Sequence, residues 1–89
     1  MNQELLKTIS VWIVWYEDRF HVGDERPPAY MVAFFASKEE AEQYIDRNGE
    51  RLDSSAGVFA GMTVEEWTAF DVLRLNVIPK TDLQKVLRI

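Results

Sequence analysis

The only histidine is the first candidate for catalysis, because imidazole is the side chain that most often transfers protons near neutral pH. His21 lies in a polar stretch between charged residues and glycine, and the chain has no cysteine. A transition-metal site would need cysteines or further histidines, which this composition does not offer. We therefore expect His21 to be an exposed loop residue, and the protein to be non-enzymatic, with no catalytic residue, metal ligand or cofactor.

Four carboxylates flank the same polar stretch and offer hard oxygen ligands to a cation such as Ca²⁺. Glu17 and Asp18 stand at the start of this stretch, and Asp24 and Glu25 stand nearer its end. Their spacing lacks the alternating Asp/Asn and glycine pattern of a calcium-binding loop. Solvated charges that protect a sheet edge from aggregation explain them better.

The segment at residues 57–61 (GVFAG) contains two glycines but lacks the glycine–lysine pattern of a phosphate-binding loop. Its small-xxx-small spacing has no meaning outside a membrane helix. Glycine permits the backbone angles of a hinge, so the segment is either a mobile flap or an ordinary connector. We favour the connector.

Composition limits the classes of function further. The 89 residues are 47% hydrophobic and 12% aromatic, which is enough for one folded domain over residues 1–89 with its core at 11–78. The net charge is −5, and residues 1–50 hold ten acids and five bases, which argues against nucleic-acid and anionic-membrane partners. Without cysteine or a long apolar segment near the start, we expect a cytoplasmic protein.

Two apolar runs at residues 11–16 and 29–36 predict β-strands, because both are rich in β-branched and aromatic residues. In the first run neither alternate set is polar, which is typical of a central strand covered on both faces. The polar residues 17–28 would connect the two strands as a hairpin loop that is longer than the tight two-residue kind. Residues 70–78, which end before Pro79, predict the third strand.

The sequence Ser37-Lys38-Glu39-Glu40 is a capping box and predicts the start of the main helix. A stripe at spacings of three and four continues from it, and we expect this stripe to face the core: Ala41, Tyr44, Ile45, Asn48 and Leu52. Gly49 predicts the end of the regular helix, with residues 50–53 as a looser turn. Two similar four-residue boxes at 63–66 and 81–84 predict short helical segments near residues 63–69 and 81–88. Residues 2–8 are compatible with a helical turn or a frayed arm.

These elements predict an α+β fold with a three-stranded antiparallel sheet in the order 2-1-3 and the main helix on one face. The order places the most apolar strand in the centre. The second face of the sheet would be covered either by the terminal segments or by a protein partner. Periodicity alone does not decide which alternate set of side chains faces the helix.

The chain resembles a group of small, mostly uncharacterised ββαβ proteins that are frequent in phage and bacterial genomes. The shared pattern is the run at 11–16, the polar hairpin, the second run, the helix sequence SKEEAEQYI and a closing strand. The resemblance spans about residues 11–78. It implies the ββαβ architecture and an accessory protein encoded by a phage or mobile element, acting on a host protein in the host cytoplasm. It implies no catalytic residues.

The apolar sheet is thus the main functional clue, since aromatic side chains are enriched in protein interfaces as well as in cores. We expect a protein-interaction module, either a homodimer or a small inhibitor or adaptor. The alternative is a small-ligand or nucleotide-binding domain that uses a groove between the helix, residues 57–61 and the sheet. The expected interaction surface contains Trp12, Trp15, Tyr16, Arg19, Phe20, His21, Arg26 and Tyr30.

Overall fold

The computed structural model describes residues 3–18 and 29–88. Within these ranges the elements are α1 (Gln3–Leu6), β1 (Ser10–Asp18), β2 (Ala29–Phe35), α2 (Lys38–Asn48), a 3-10 turn (Ser54–Ala56), β3 (Ala60–Thr68), α3 (Ala69–Arg74) and α4 (Lys80–Leu87). The strands form one antiparallel sheet in the order β2-β1-β3. The predicted α+β class and strand order are therefore confirmed.

Alternation along β1 divides the core into two parts, because successive side chains of a strand point to opposite faces. Val11 and Ile13 are fully buried on one face, and Val14 is fully buried on the other. The central strand is thus covered on both sides, as its composition predicted.

Helices α1, α3 and α4 cover the first face, which we call the three-helix face. Its buried residues are Leu6, Val11, Ile13, Ala69, Val72, Ile78 and Leu83. Partly buried aromatic residues, among them Trp15 and Trp67, pack around them. Of the two possibilities for the second face, the structure shows coverage by the terminal segments.

Among the described elements, helix α2 alone covers the other face, which we call the single-helix face. Ala41 and Ile45 of the helix are buried against Val14 and Met62 of the sheet. The Ser37 side chain caps the helix by accepting from the Glu40 N–H at 3.3 Å. The helix ends at Asn48, immediately before the glycine that predicted its end.

The predicted position of the third strand is wrong. Residues 60–68 form β3, whereas 63–69 had been predicted as helical and 70–78 as the strand. Thr63 and Val64 have β-branched side chains that suit a strand, and β3 pairs with β1 at every position from Ala60 to Thr68. This long-range pairing outweighs the local capping pattern at 63–66.

Helix α3 replaces the predicted strand at its beginning. Ala69, Val72 and Leu73 recur at spacings of three and four and pack on the three-helix face. The cap is the Thr68 side chain, which accepts from the Asp71 N–H at 3.1 Å. After Leu75 the chain turns at Asn76, whose φ is 55°, as at many helix C-termini.

The C-terminal helix is present, but its predicted cap is wrong. Helix α4 begins at Lys80, one residue before the predicted cap Thr81. Pro79 occupies the cap position without a side-chain hydrogen bond, and its carbonyl accepts from the Leu83 N–H at 3.0 Å. A proline here fixes the backbone without needing a donor of its own.

Candidate interaction site

Strand β2 is an edge strand, and its composition is unusual for that position. Its seven residues, AYMVAFF, include no charge, and none is fully buried. Tyr30 is 58% exposed and Val32 is 36% exposed. Among the described residues, only β1 pairs with β2, so the outer row of backbone N–H and C=O groups has no strand partner in that part of the chain.

A bulge interrupts the pairing of β2 with β1. Val14 lies opposite Ala33 and Trp15 lies opposite Met31, which leaves Val32 without a Cα partner on β1. The extra residue places Val32 on the rim of the single-helix face. A bulge bends its strand and increases the local twist, so β2 does not present a flat edge.

The opposite edge of the sheet is protected. The Met62 N–H donates to the Glu50 carbonyl at 2.8 Å, and the Met62 carbonyl accepts from the Leu52 N–H at 3.0 Å. Further along β3, Glu65 and Glu66 are exposed and charged. Covering segments, charges and bulges are among the ways in which proteins prevent strand addition. The described length of β2 has no covering segment and no charge, and the bulge at Val32 is its one feature of this kind.

A groove of about 440 Å³ opens where α2 ends above the sheet. Tyr16 and Tyr30 form its floor on the sheet side, with ring centroids 5.4 Å apart and planes inclined by 31°. Tyr44 of α2 forms the helix side and packs against Phe35 at 5.6 Å. We call this site the tyrosine groove.

The tyrosine groove is acidic. Among its described lining residues, Glu50 is the only one with a charge. The next residue, Arg51, forms an ion pair with Glu42 of α2. Asn48 also lines the groove, and its side-chain Nδ2 donates to the Tyr44 carbonyl at 3.0 Å. The groove thus combines aromatic faces with oxygen acceptors.

At Gly61, strand β3 lies close to the backbone of residues 50–52, and this contact forms one wall of the groove. A Cβ atom at this position would lie 2.4 Å from the Glu50 carbonyl oxygen and 2.8 Å from the Leu52 nitrogen. Both are backbone atoms, so a side chain could enter only if the 50–52 segment moved away from β3. The absence of a side chain at Gly61 therefore allows this segment to pair with β3 and brings Glu50 to the groove.

Residues 53–58 form a hydrogen-bonded turn that leads into β3. The Asp53 carboxylate accepts from the Ser55 hydroxyl at 2.6 Å and from the Ser55 and Ala56 N–H groups at 3.1 and 3.3 Å. These bonds, above all that from the Ser55 hydroxyl, hold the pKa of Asp53 below its usual value near 3.8. Gly57 follows with a φ of 83°. The segment is built as a connector.

The structure places the predicted interaction residues in different parts of the protein. Tyr16 and Tyr30 meet in the tyrosine groove. Trp12 lies on the same face near the start of α2, with Lys38 Nζ 6.0 Å from its ring centroid. Trp15 belongs to the three-helix face, so it does not share a surface with the others. Arg19, Phe20, His21 and Arg26 lie outside the described residues, as do Asp24 and Glu25.

Other groove residues were not predicted as part of an interaction surface. Tyr44 and Asn48 belong to the helical stripe that was interpreted as core, and Glu50 was assigned to a loose turn. One pattern in the sequence could have indicated them: along the stripe, Ile45 is followed by Asn48 and Gly49. Polar residues on an otherwise apolar stripe indicate where the helix leaves the core.

The described residues contain no cluster of three or more side chains that could hold a metal ion. None of the helices within 3–18 and 29–88 has the length and apolarity needed to cross a membrane. No protein-family model matches the chain. No curated protein matches it, and no solved structure does.

Proposed function

We propose that this protein is a protein-interaction module that docks an extended segment of a partner along the outer edge of β2. The observation that carries the proposal is the composition and position of β2. It is an uncharged, half-exposed edge strand, whereas the other edge of the same sheet is covered and charged. In this proposal the protein acts by binding rather than by catalysis.

Strand addition supplies affinity and specificity through different groups. The outer N–H and C=O groups of β2 would form backbone hydrogen bonds with any extended segment. Side chains of that segment would alternate between the faces of the sheet, and those on the single-helix face would lie beside Tyr30 and Val32. Specificity would therefore come from the exposed side chains at the rim of the tyrosine groove.

The resemblance to phage and bacterial ββαβ proteins adds a proposal about the partner. A small accessory protein of this kind would act in the host cytoplasm as an inhibitor or adaptor of a host protein. An added strand suits that role, because it can occupy or replace an edge that the host protein uses itself.

A display selection of random peptides on the wild-type protein tests strand docking. Val32→Lys places a charge on the proposed edge, and Leu75→Lys, at a position 51% exposed in the turn after α3, is the matched control. We expect selected peptides to lose at least about ten-fold in affinity for the Val32 variant and little for the Leu75 variant. Amide hydrogen exchange should slow in β2 when a peptide binds.

Two results would contradict strand docking: selected peptides that bind both variants equally, or exchange protection confined to α3 and α4. Light scattering of the protein alone measures its molar mass and so tests whether it forms a dimer. A dimer that the Val32 substitution dissociates would show that the partner is a second copy of this chain.

Small-ligand binding is a second candidate, because the groove volume lies within the range of known ligand sites. The carboxylate of Glu50 disfavours the phosphates of nucleotides, so a neutral or cationic ligand fits better. A thermal-shift screen separates the two candidates, since a ligand that binds only the native state raises the melting temperature.

A further inference from the structure

We infer that the tyrosine groove receives a guanidinium group, supplied by an arginine of the docked partner segment. This inference rests on the proposed function, because strand docking on β2 is what would bring the arginine to the groove. It adds the chemistry of the partner, which strand docking leaves undefined.

The aromatic rings supply the first argument. Tyr16 and Tyr30 lie side by side on the sheet, and Tyr44 faces the same groove from α2. The face of an aromatic ring carries negative electrostatic potential, so it attracts a cation placed over it. A planar guanidinium also stacks on such a ring, which an ammonium group does not do.

The charges supply the second argument. Glu50 is the only charged residue among the described groove lining, and the whole chain has a net charge of −5. An anionic group would be repelled, and a purely apolar side chain would leave the acceptors of Glu50 and Asn48 without new donors. A guanidinium has five N–H donors in one plane and can reach such acceptors while it stacks.

The geometry of the edge explains how the cation would arrive. Residues opposite each other in neighbouring strands share a face of the sheet. A residue added opposite Tyr30 or Val32 therefore points its side chain toward the single-helix face, where the groove opens. A long, flexible side chain is needed to cross from the added strand to the tyrosine rings and Glu50.

Titration with two small probes tests the cation site without any strand docking. The probes are N-acetyl-arginine methylamide and N-acetyl-citrulline methylamide, which have nearly the same shape and differ in charge. NMR should show shifts of the Tyr16, Tyr30 and Tyr44 ring resonances, with the arginine probe binding about ten-fold more tightly. Equal affinities, or shifts confined to other parts of the protein, would overturn the inference.

Substitutions identify the groups responsible. Tyr30→Leu removes a ring that is 58% exposed and Glu50→Gln removes the charge, so both variants should fold. Each should weaken the arginine probe about three-fold and leave the citrulline probe unchanged. Glu39→Gln, an exposed acid in the first turn of α2 outside the groove, is the matched control and should change neither affinity.

Failure of the inference and failure of the proposed function give different results. If selected peptides dock on β2 but show no preference for arginine over citrulline at any position, strand docking stands and the cation site is wrong. If the arginine probe binds the groove but no peptide depends on Val32, the cation site stands and delivery by an added strand is wrong.

Discussion

The two faces of the sheet are covered in different ways. In the described part of the chain, α1, α3 and α4 enclose seven buried residues on the three-helix face, whereas α2 encloses four on the single-helix face. Helix α2 also ends at Asn48, before it reaches the end of the sheet where Tyr16 and Tyr30 lie. The accessible aromatic groove therefore forms where helix coverage stops. Two of the three tryptophans, Trp15 and Trp67, pack on the three-helix face, and Trp12 packs on the single-helix face.

The largest difference between the faces should appear on truncation of a buried isoleucine. Ile13 is fully buried on the three-helix face, and Ile13→Ala should lower the free energy of unfolding by about 4 kcal/mol. The cost is high because the surrounding helices leave little freedom to fill the cavity. Urea denaturation followed by tryptophan fluorescence measures it.

The matched truncation on the other face is Ile45→Ala in α2, where Ile45 is 1% exposed. We expect a loss of about 2 kcal/mol, at the low end for such substitutions, because the open groove nearby allows side chains to shift into the space. If this variant is as unstable as the Ile13 variant, the two faces are equally well packed and the comparison is wrong.

The helix caps should have smaller effects that are similar on both faces. Ser37 caps α2 and Thr68 caps α3 through side-chain bonds of 3.3 and 3.1 Å. Ser37→Ala and Thr68→Ala should each cost about 1 kcal/mol. Thermal unfolding of both variants measures the effect. Thr81→Ala is the control and should not lower stability, because Thr81 is exposed within the first turn of α4 and does not cap it.

A charge introduced on the exposed edge strand β2 should hardly change the stability of the protein. Val32→Lys should change the free energy of unfolding by less than about 0.5 kcal/mol, since the site is exposed and Val32 has no Cα partner on β1. The same urea titration measures this, and a large loss of stability would show that Val32 contributes to the core rather than to binding.

The smallest effect concerns pH. The pKa of Asp53 is lowered in the folded protein, so its ionised form contributes stability above the usual aspartate pKa near 3.8. That contribution should be lost as the pH falls below this value toward the lower pKa of the folded state. Asp53→Asn should remove this part of the acid dependence, as NMR of the Ser55 and Ala56 amides during acid titration would show.

The sequence predicted those elements whose local and long-range signals agree. The strand at 11–16 and the helix after Ser37 have strong patterns, and both are confirmed. The third strand was misplaced because residues 63–66 fit a capping box as well as a strand, and pairing with β1 is a tertiary interaction that a local pattern does not contain.

The candidate site was predictable only in part, for a related reason. Tyr16 and Tyr30 were predicted as part of the interaction surface, and the structure places them in contact. Tyr44 shares its helical stripe with Ala41 and Ile45, which are buried, so periodicity assigned it to the core. The end of α2 over the sheet, which exposes Tyr44 to the groove, is a property of the packed elements.

The lack of a side chain at Gly61 keeps residues 50–52 paired with one edge of the sheet. Any side chain there would collide with the backbone of residues 50–52 and displace them from β3. The Met62 N–H and C=O groups would then lose their partners, and the described sheet would offer a second open stretch of strand edge beside Glu65 and Glu66. Open edges on both sides favour association between copies, so a larger residue at Gly61 should increase the tendency of the protein to aggregate. The smallest residue in the chain thereby keeps the proposed binding activity on one side of the protein.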